Sequence, residues 1–348
     1  MSVKETFEAL IRKDLLQFTG YLSARMEQNQ GTLFLNANEL PWGKELNRYP
    51  EQQPTALLQS LSQYYGVKSS SILATRGSDE GIDLLVRSFC QFAKDALLIC
   101  PPTFGMYEVS ARIQGIGVIQ APLKYPNFSL DLEEIEKVWT EKVKIIFLCS
   151  PNNPTGNRIN RSDILMLCKT YAKKSLVVVD EAYLEFSEGI SLAVELDDYD
   201  NLVVLRTLSK ALGLAAVRVG VLIANEELVS FLKNILAPYP LPVLSIQSVI
   251  KTLDIAMQPL REQRIKTIKE ERDKLINSLQ QLEITQTVWP SQANFILIQF
   301  KKSIENFLIE KGIIFRNMEK RLGMRNVMRI TVGTPKENCQ LIKMMRLL

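Results

Sequence analysis

The chain has 348 residues, 46% of them hydrophobic and 23% charged, which suits one large domain and a smaller one, each with an ordinary globular core. Its net charge of +4, from 42 basic and 38 acidic side chains, is too small an excess to imply nucleic acid or a membrane surface as a partner. The absence of any histidine excludes Ser-His-Asp and Cys-His catalysis and histidine-ligated metals. A base or nucleophile near neutral pH is then a carboxylate, cysteine, tyrosine or perturbed lysine. Five cysteines form no CxxC pair and read as free thiols in a reducing compartment. No apolar run approaches the ~18 residues of a membrane helix, and Glu5, Glu8 and Asp14 speak against a signal or transit peptide. A cytoplasmic protein is the expectation.

In chain order, VKETFEALIRKDLLQF (3–18) has the apolar spacing of a helix. An arm rich in Asn, Pro and Gly follows, with TLFLNANELPWG (32–43) and LNRYPEQQP (46–54). From about residue 55 to 225 helix-like segments alternate with short apolar runs: SILAT (71–75), DALLIC (95–100), VKIIFLC (143–149), SLVVVD (175–180), NLVVLRT (201–207) and VGVLIA (219–224). That alternation predicts an α/β layered domain with a mainly parallel sheet between helices. After APYPLP (237–242) helix is predicted to about 283, including REQRIKTIKEERDK (261–274), whose interleaved acids and bases read as a solvated helix face. The tail reads as strand, helix, strand, strand, helix: 293–300, 302–312, 313–316, 328–333 and 337–348, a smaller α+β unit. The expected division is a helix and arm over 1–45, a large domain over 46–254 and a small one over 255–348.

Several of these runs end in polar groups, and ligands of open α/β sheets bind beyond the carboxyl ends of the strands. SILAT leads through RGSDEG into an amphipathic helix whose first N–H groups, at Gly77, Ser78 and Asp79, form an anion cradle. DALLIC leads to PPTFGMY, which presents Phe104, and VKIIFLC to SPNNPTG, which carries Asn153. SLVVVD ends in Asp180 and continues EAY, with Tyr183; NLVVLRT is followed by Ser209 and Lys210, with Arg218 eight residues on. Taken singly each is weak. A lysine after a strand is commonly a surface residue; no GxxxxGK[ST] accompanies the aspartate, and the only GxG (Gly115, Gly117) lacks its third glycine. Together they match the needs of pyridoxal 5′-phosphate: a lysine for a Schiff base, a carboxylate for the ring nitrogen, donors for the phenolate oxygen, an aromatic face and a phosphate site.

The chain resembles the fold-type I aminotransferases of class II through SPNNPTG, VVDEAY and the SK pair with its arginine. More narrowly it is similar to the histidinol-phosphate aminotransferases. Here the markers are GYLSAR (20–25), LNANE (35–39), LNRYPE (46–51), RGSDEGIDLLVRSFC (76–90), CPPTFGMY (100–107), RTLSKA (206–211), APYPL (237–241) and MRITVGT (328–334). The resemblance implies a seven-stranded large domain and a homodimer with shared active sites. It implies that Lys210 holds the cofactor and, once freed, carries the substrate proton. Asp180 then holds the pyridinium nitrogen, Asn153 and Tyr183 bond the phenolate oxygen, and Phe104 stacks on the ring where relatives often have tyrosine. Gly77, Ser78, Asp79, Ser209 and Arg218 take the phosphate, reached also by Tyr49 of the neighbouring subunit. Ala216 and Val217 stand where the family often has Gly-Leu, and only packing changes are expected from that.

By the same resemblance Arg329 takes the α-carboxylate of glutamate, while Arg316, with Tyr21 near it, takes the substrate phosphate or the distal carboxylate. Guanidinium groups suit both anions. Between them, 322–326 departs from the family pattern, and selectivity is expected to respond there. The implied reaction converts histidinol phosphate and 2-oxoglutarate to imidazole acetol phosphate and glutamate, in histidine biosynthesis. A threonine-phosphate decarboxylase-like lyase, an aromatic or broad aminotransferase, and a non-catalytic regulatory domain on the same fold are the alternatives.

Overall fold

Apolar runs with almost no polar interruption build the centre of the large sheet, because β-strands covered on both faces need apolar side chains on both. The computed structural model describes residues 3–23, 33–43 and 46–348; Ala24 and Arg25 of GYLSAR, and Thr32, lie outside these. The strands are β1 (Ile72–Thr75), β2 (Ala96–Ile99), β3 (Gly117–Gln120), β4 (Val143–Cys149), β5 (Leu176–Asp180), β6 (Leu202–Thr207) and β7 (Gly220–Ala224). Their order is β1-β7-β6-β5-β4-β2-β3. Every pairing is parallel except those of β7 with β1 and β6.

Side chains alternate between faces with a period of two. In β5, Val177 and Val179 enter one core with Ile146, Leu148 and Val204. Leu176 and Val178 enter the other, with Ile145, Phe147 and Leu205. The edge strand β3 is a seventh strand beyond the six apolar runs of the sequence. Its GVIQ is at least partly exposed along its length, so it carries no continuous apolar signal.

Two helical expectations need correction. The first helix stops at Leu10, with only a short 3-10 turn at Lys13–Leu15 beyond it. Arg12 is extended there: its backbone N–H donates to the Ser88 carbonyl at 3.1 Å and its guanidinium to the Arg87 carbonyl at 2.9 Å. The helix Ser78–Phe89 thus captures the chain. The long helix after residue 242 is two helices, Val243–Leu253 and Gln258–Gln280. Asp254 separates them by capping the backbone N–H of Ala256 at 2.8 Å, and Pro259 opens the second.

The tail forms an antiparallel sheet of β8 (Thr285–Val288), β9 (Phe295–Phe300), β10 (Arg316–Asn317) and β11 (Val327–Thr331), in the order β10-β11-β9-β8. It packs on Leu275, Leu279, Leu341, Ile342 and Met345 of the flanking helices. IIFR contributes only its arginine to a strand, and β8 lies outside the expected strands because three of the four residues of TQTV are polar and all four are at least partly exposed.

One contact sets how closely the two ends of the large domain's chain approach. A Cβ on Gly220 would overlap the Gly77 carbonyl carbon and the Ser78 nitrogen, so only a hydrogen there lets β7 lie against the turn after β1. That apposition is rigid backbone on both sides. Gly220→Ala is therefore expected to cost about 1–3 kcal/mol, the range of overpacking substitutions. Urea unfolding of the cofactor-free protein, showing a lower midpoint at unchanged slope, checks it.

Candidate active site

Because β4, β5 and β6 are parallel and paired up to Cys149, Asp180 and Leu205, their following loops emerge on one edge. SPNNPTG, DEAY and TLSK therefore meet. A cavity of about 140 Å³ at this edge is lined by Gly77, Ser78, Asp79, Phe104, Asn153, Asp180, Tyr183, Ser209, Lys210 and Arg218, among others. All ten belong to the set singled out in the sequence. Lys210 and Arg218 reach the same cavity because the chain between them doubles back: Gly213 has φ +68°, and its N–H donates to the Lys210 carbonyl at 3.1 Å.

Asp180 is buried, and its oxygens accept from the Tyr107 hydroxyl at 2.9 Å and the Ala182 N–H at 3.1 Å. Burial pushes its carboxyl up to about 6, with those two donors opposing the shift. No cation pairs with it among the described residues. Lys210 is also without an ion-pair partner there; its ammonium lies 5.8 Å from the Tyr183 ring centroid. Desolvation, then the charge of Arg329, pulls its pKa below the ordinary lysine value.

Asn153 Nδ2 donates to the Tyr183 hydroxyl at 3.3 Å, and Arg329 Nη1 donates to Asn153 Oδ1. Arg329 also lies over the Phe295 ring, which packs edge-on against Tyr183. Arg329 is thus joined to the cavity wall from the small sheet. Arg316 lies opposite Arg329 in the register of β10 and β11.

At the other end Arg218 adopts a left-handed backbone conformation, φ +58°. Its guanidinium sits over Gly77, where a Cβ would come within 2.7 Å of Nη2. Only a loose contact of 3.8 Å links it to the Asp79 carboxylate. Gly77, at φ +83°, opens the helix Ser78–Phe89, whose first residues, Ser78 and Asp79, line the cavity with it and leave unsatisfied N–H groups at that end. The residues fit pyridoxal 5′-phosphate at both ends: a buried carboxylate that no cation pairs among the described residues, and a glycine-floored helix N-terminus under a guanidinium held by the Ala215 carbonyl at 3.2 Å but by no close carboxylate.

Tyr49 and Tyr21 are not brought to the cavity of this chain. Tyr49 is half-exposed and stacks on Tyr239 at 4.3 Å. Tyr21 is mostly exposed, its neighbour Gly20 lies against the Asn234 carbonyl, and no contact joins Tyr21 to Arg316 among the described residues.

Two site-supporting residues were not singled out in the sequence. Tyr107, three residues after Phe104 on the helix Met106–Ile113, is buried, stacks on Phe147 at 4.7 Å and donates to Asp180. Its i+3 spacing from Phe104 was the available signal. Arg206, inside β6, is buried between Glu181 (2.9 Å) and Glu185 (2.6 Å), bracing the loop after Asp180 against the strand before Lys210. A charge inside an apolar strand was its signal.

The chain belongs to the class I and II aminotransferases: the family model "Aminotransferase class I and II" matches residues 32–344. A histidinol-phosphate aminotransferase of Francisella philomiragia is 44% identical over 98% of this chain and 96% of its own length. Among solved structures, the histidinol-phosphate aminotransferase of Clostridium acetobutylicum superposes with a TM-score of 0.79 at 25% identity, covering 87% of this chain and 91% of that one. The enzyme of that name from Sinorhizobium meliloti, in complex with pyridoxal-5′-phosphate, shares the fold at a TM-score of 0.77 and 19% identity, over 87% of this chain and 83% of its own.

Burial raises the Asp180 carboxyl from its ordinary value of 3.8 to about 6 in the folded protein. A raised folded pKa gives stability that is full below the unfolded value and lost as pH rises through the folded one. The cofactor-free protein is therefore expected to lose stability through this group between about pH 4 and pH 6. Asp180→Asn should remove that contribution. Tyr107→Phe, which keeps the ring stack but deletes a donor that holds the pKa down, should move the loss to higher pH. Denaturation midpoints across this range check both.

Proposed function

We propose that this aminotransferase binds pyridoxal 5′-phosphate on Lys210 and moves an amino group between histidinol phosphate and the glutamate/2-oxoglutarate pair. The observation that carries the reading is a single cavity with an unpaired lysine, a buried carboxylate without a cation, and Arg329 joined to its wall. The cofactor supplies a carbonyl to bond the amine and a protonated ring to draw electrons from the substrate's Cα.

The chain supplies everything else. Asp180 holds the proton on the ring nitrogen, and Tyr107 fixes that carboxylate. Asn153 Nδ2 and the Tyr183 hydroxyl hold the phenolate oxygen, while Phe104 covers a face of the ring. Ser78, Ser209, Arg218 and the N–H groups of Ser78 and Asp79 bind the cofactor phosphate, with Gly77 giving it room. The amine of Lys210 takes the proton from the substrate Cα, which its lowered pKa favours. Arg329 binds the α-carboxylate of glutamate, and Arg316 the distal carboxylate or the substrate phosphate.

The reading extends to a homodimer. Leu40, Trp42, Leu46 and Tyr49 are exposed on the arm, and a second copy covering them would receive Tyr49 at its cofactor phosphate and Tyr21 at its substrate anion. The units we propose are the helix and arm over 1–45, the cofactor domain over 46–254 and the small domain over 255–348. Among the described residues no helix is long and apolar enough to cross a membrane, in keeping with a cytoplasmic biosynthetic enzyme.

Purified holoprotein mixed with histidinol phosphate should pass to the pyridoxamine spectrum and return on adding 2-oxoglutarate. No spectral change with histidinol phosphate, or CO₂ release from O-phosphothreonine without 2-oxoglutarate, would replace this reading with another aminotransferase or the lyase. Lys210→Ala should slow the first half-reaction by about 10²–10⁴-fold or more, the range of a positioned acid–base group, as stopped-flow absorbance would show.

A further inference from the structure

The segment from Arg316 to Arg329 carries a third guanidinium at the site. Arg321, on the short helix Glu319–Leu322, reaches from the small domain to the large one, where Nη1 donates to the Thr103 carbonyl at 3.4 Å. Its Nη2 occupies the space a Cβ of Gly105 would fill. Thr103 and Gly105 flank Phe104, which lines the cavity. The three arginines are electrostatically linked, since the charges of Arg316 and Arg321 both lower the pKa of Arg329.

No carboxylate neutralises Arg316, Arg321 or Arg329 among the described residues. Two acids of the small domain are engaged elsewhere. Glu319 accepts from the Asn326 backbone, and Glu305 accepts from Asn317 Nδ2 at 2.7 Å. Like charges held together are unfavourable, and an anion relieves the repulsion. The two substrates differ in how they supply one. Glutamate carries a single charge at each end, which one guanidinium at each end matches. A phosphorylated amine without a carboxylate concentrates about −1.5 to −2 charge and three acceptor oxygens on one group. A second guanidinium at that end therefore gains more from phosphate than from a carboxylate.

We infer that Arg321 is a specificity-determining residue: with Arg316 it forms the site for the substrate phosphate and biases the enzyme toward the phosphorylated amine over the dicarboxylate. This rests on the aminotransferase reading and deepens it. The flat guanidinium lies along the glycine-floored turn, a geometry that a lysine ammonium does not reproduce.

The test compares wild type, Arg321→Gln and Arg321→Lys as holoenzymes. The ratio of kcat/KM for the histidinol phosphate half-reaction to that for glutamate should fall about 10- to 100-fold in Arg321→Gln, as expected for loss of a charge-assisted contact. Arg321→Lys should recover part of it. The dissociation constant of inorganic phosphate for the holoenzyme, read by calorimetry, should rise about as much. Equal falls for both substrates, an unchanged ratio, or unchanged phosphate binding would overturn the inference. If the wild type does not turn over histidinol phosphate, the substrate reading fails separately, and the phosphate dissociation constants alone decide on Arg321.

Discussion

Asp180 ends the central strand β5 inside the protein, where burial disfavours its charge and, among the described residues, only Tyr107 and Ala182 donate to it. A buried carboxylate in neutral company is costly, and the surrounding architecture is what keeps it in place. Its strand is flanked in register by β4 and β6, so it shares an edge with the loops that carry Asn153 and Lys210. The next residue, Glu181, is tied to Arg206 of β6, and Glu185 closes the brace from the far side. Removing one partner of such a buried set typically costs about 3–5 kcal/mol. The loops around the carboxylate thus have little freedom to relax away from it. Among the described residues no cation pairs with it, and the proposed protonated ring nitrogen would be that cation.

The centre of this arrangement is legible in the sequence because it is extreme. Strands covered on both faces must be apolar throughout, so the polar residue that ends each run stands out: Asp180 after SLVVV, Ser209 and Lys210 after LVVLRT. What is half-covered is harder to read. The edge strands β3 and β8 mix exposed and buried positions, and the first helix ends where tertiary contacts to Arg87 and Ser88 capture Arg12, which no periodicity reveals. Tyr107 reads as one more apolar position on an amphipathic helix, since its hydroxyl has meaning only beside Asp180. Arg321 sits among other basic residues, and its reach to Thr103 depends on how the small sheet faces the large one. Tyr49 is stacked on Tyr239 and Tyr21 is largely exposed, so this chain by itself brings neither to the cavity.

The missing histidine finds its physical counterpart here. Acid–base work near neutral pH needs groups that change charge there, and histidine is the only side chain whose unperturbed pKa provides it. Burial shifts other groups towards that range from both sides, because it penalises whichever form is charged. It raises Asp180 to about 6 and lowers Lys210 from the usual lysine value. Arg329 adds to the second shift, so the same guanidinium that joins the cavity wall also favours the free amine on Lys210. Asp79 and Asp180 pull the lysine the other way. The two shifts that the proposed roles of Asp180 and Lys210 require are thereby produced by one desolvated sheet edge. The acid–base chemistry of this chain is a property of where its strands end.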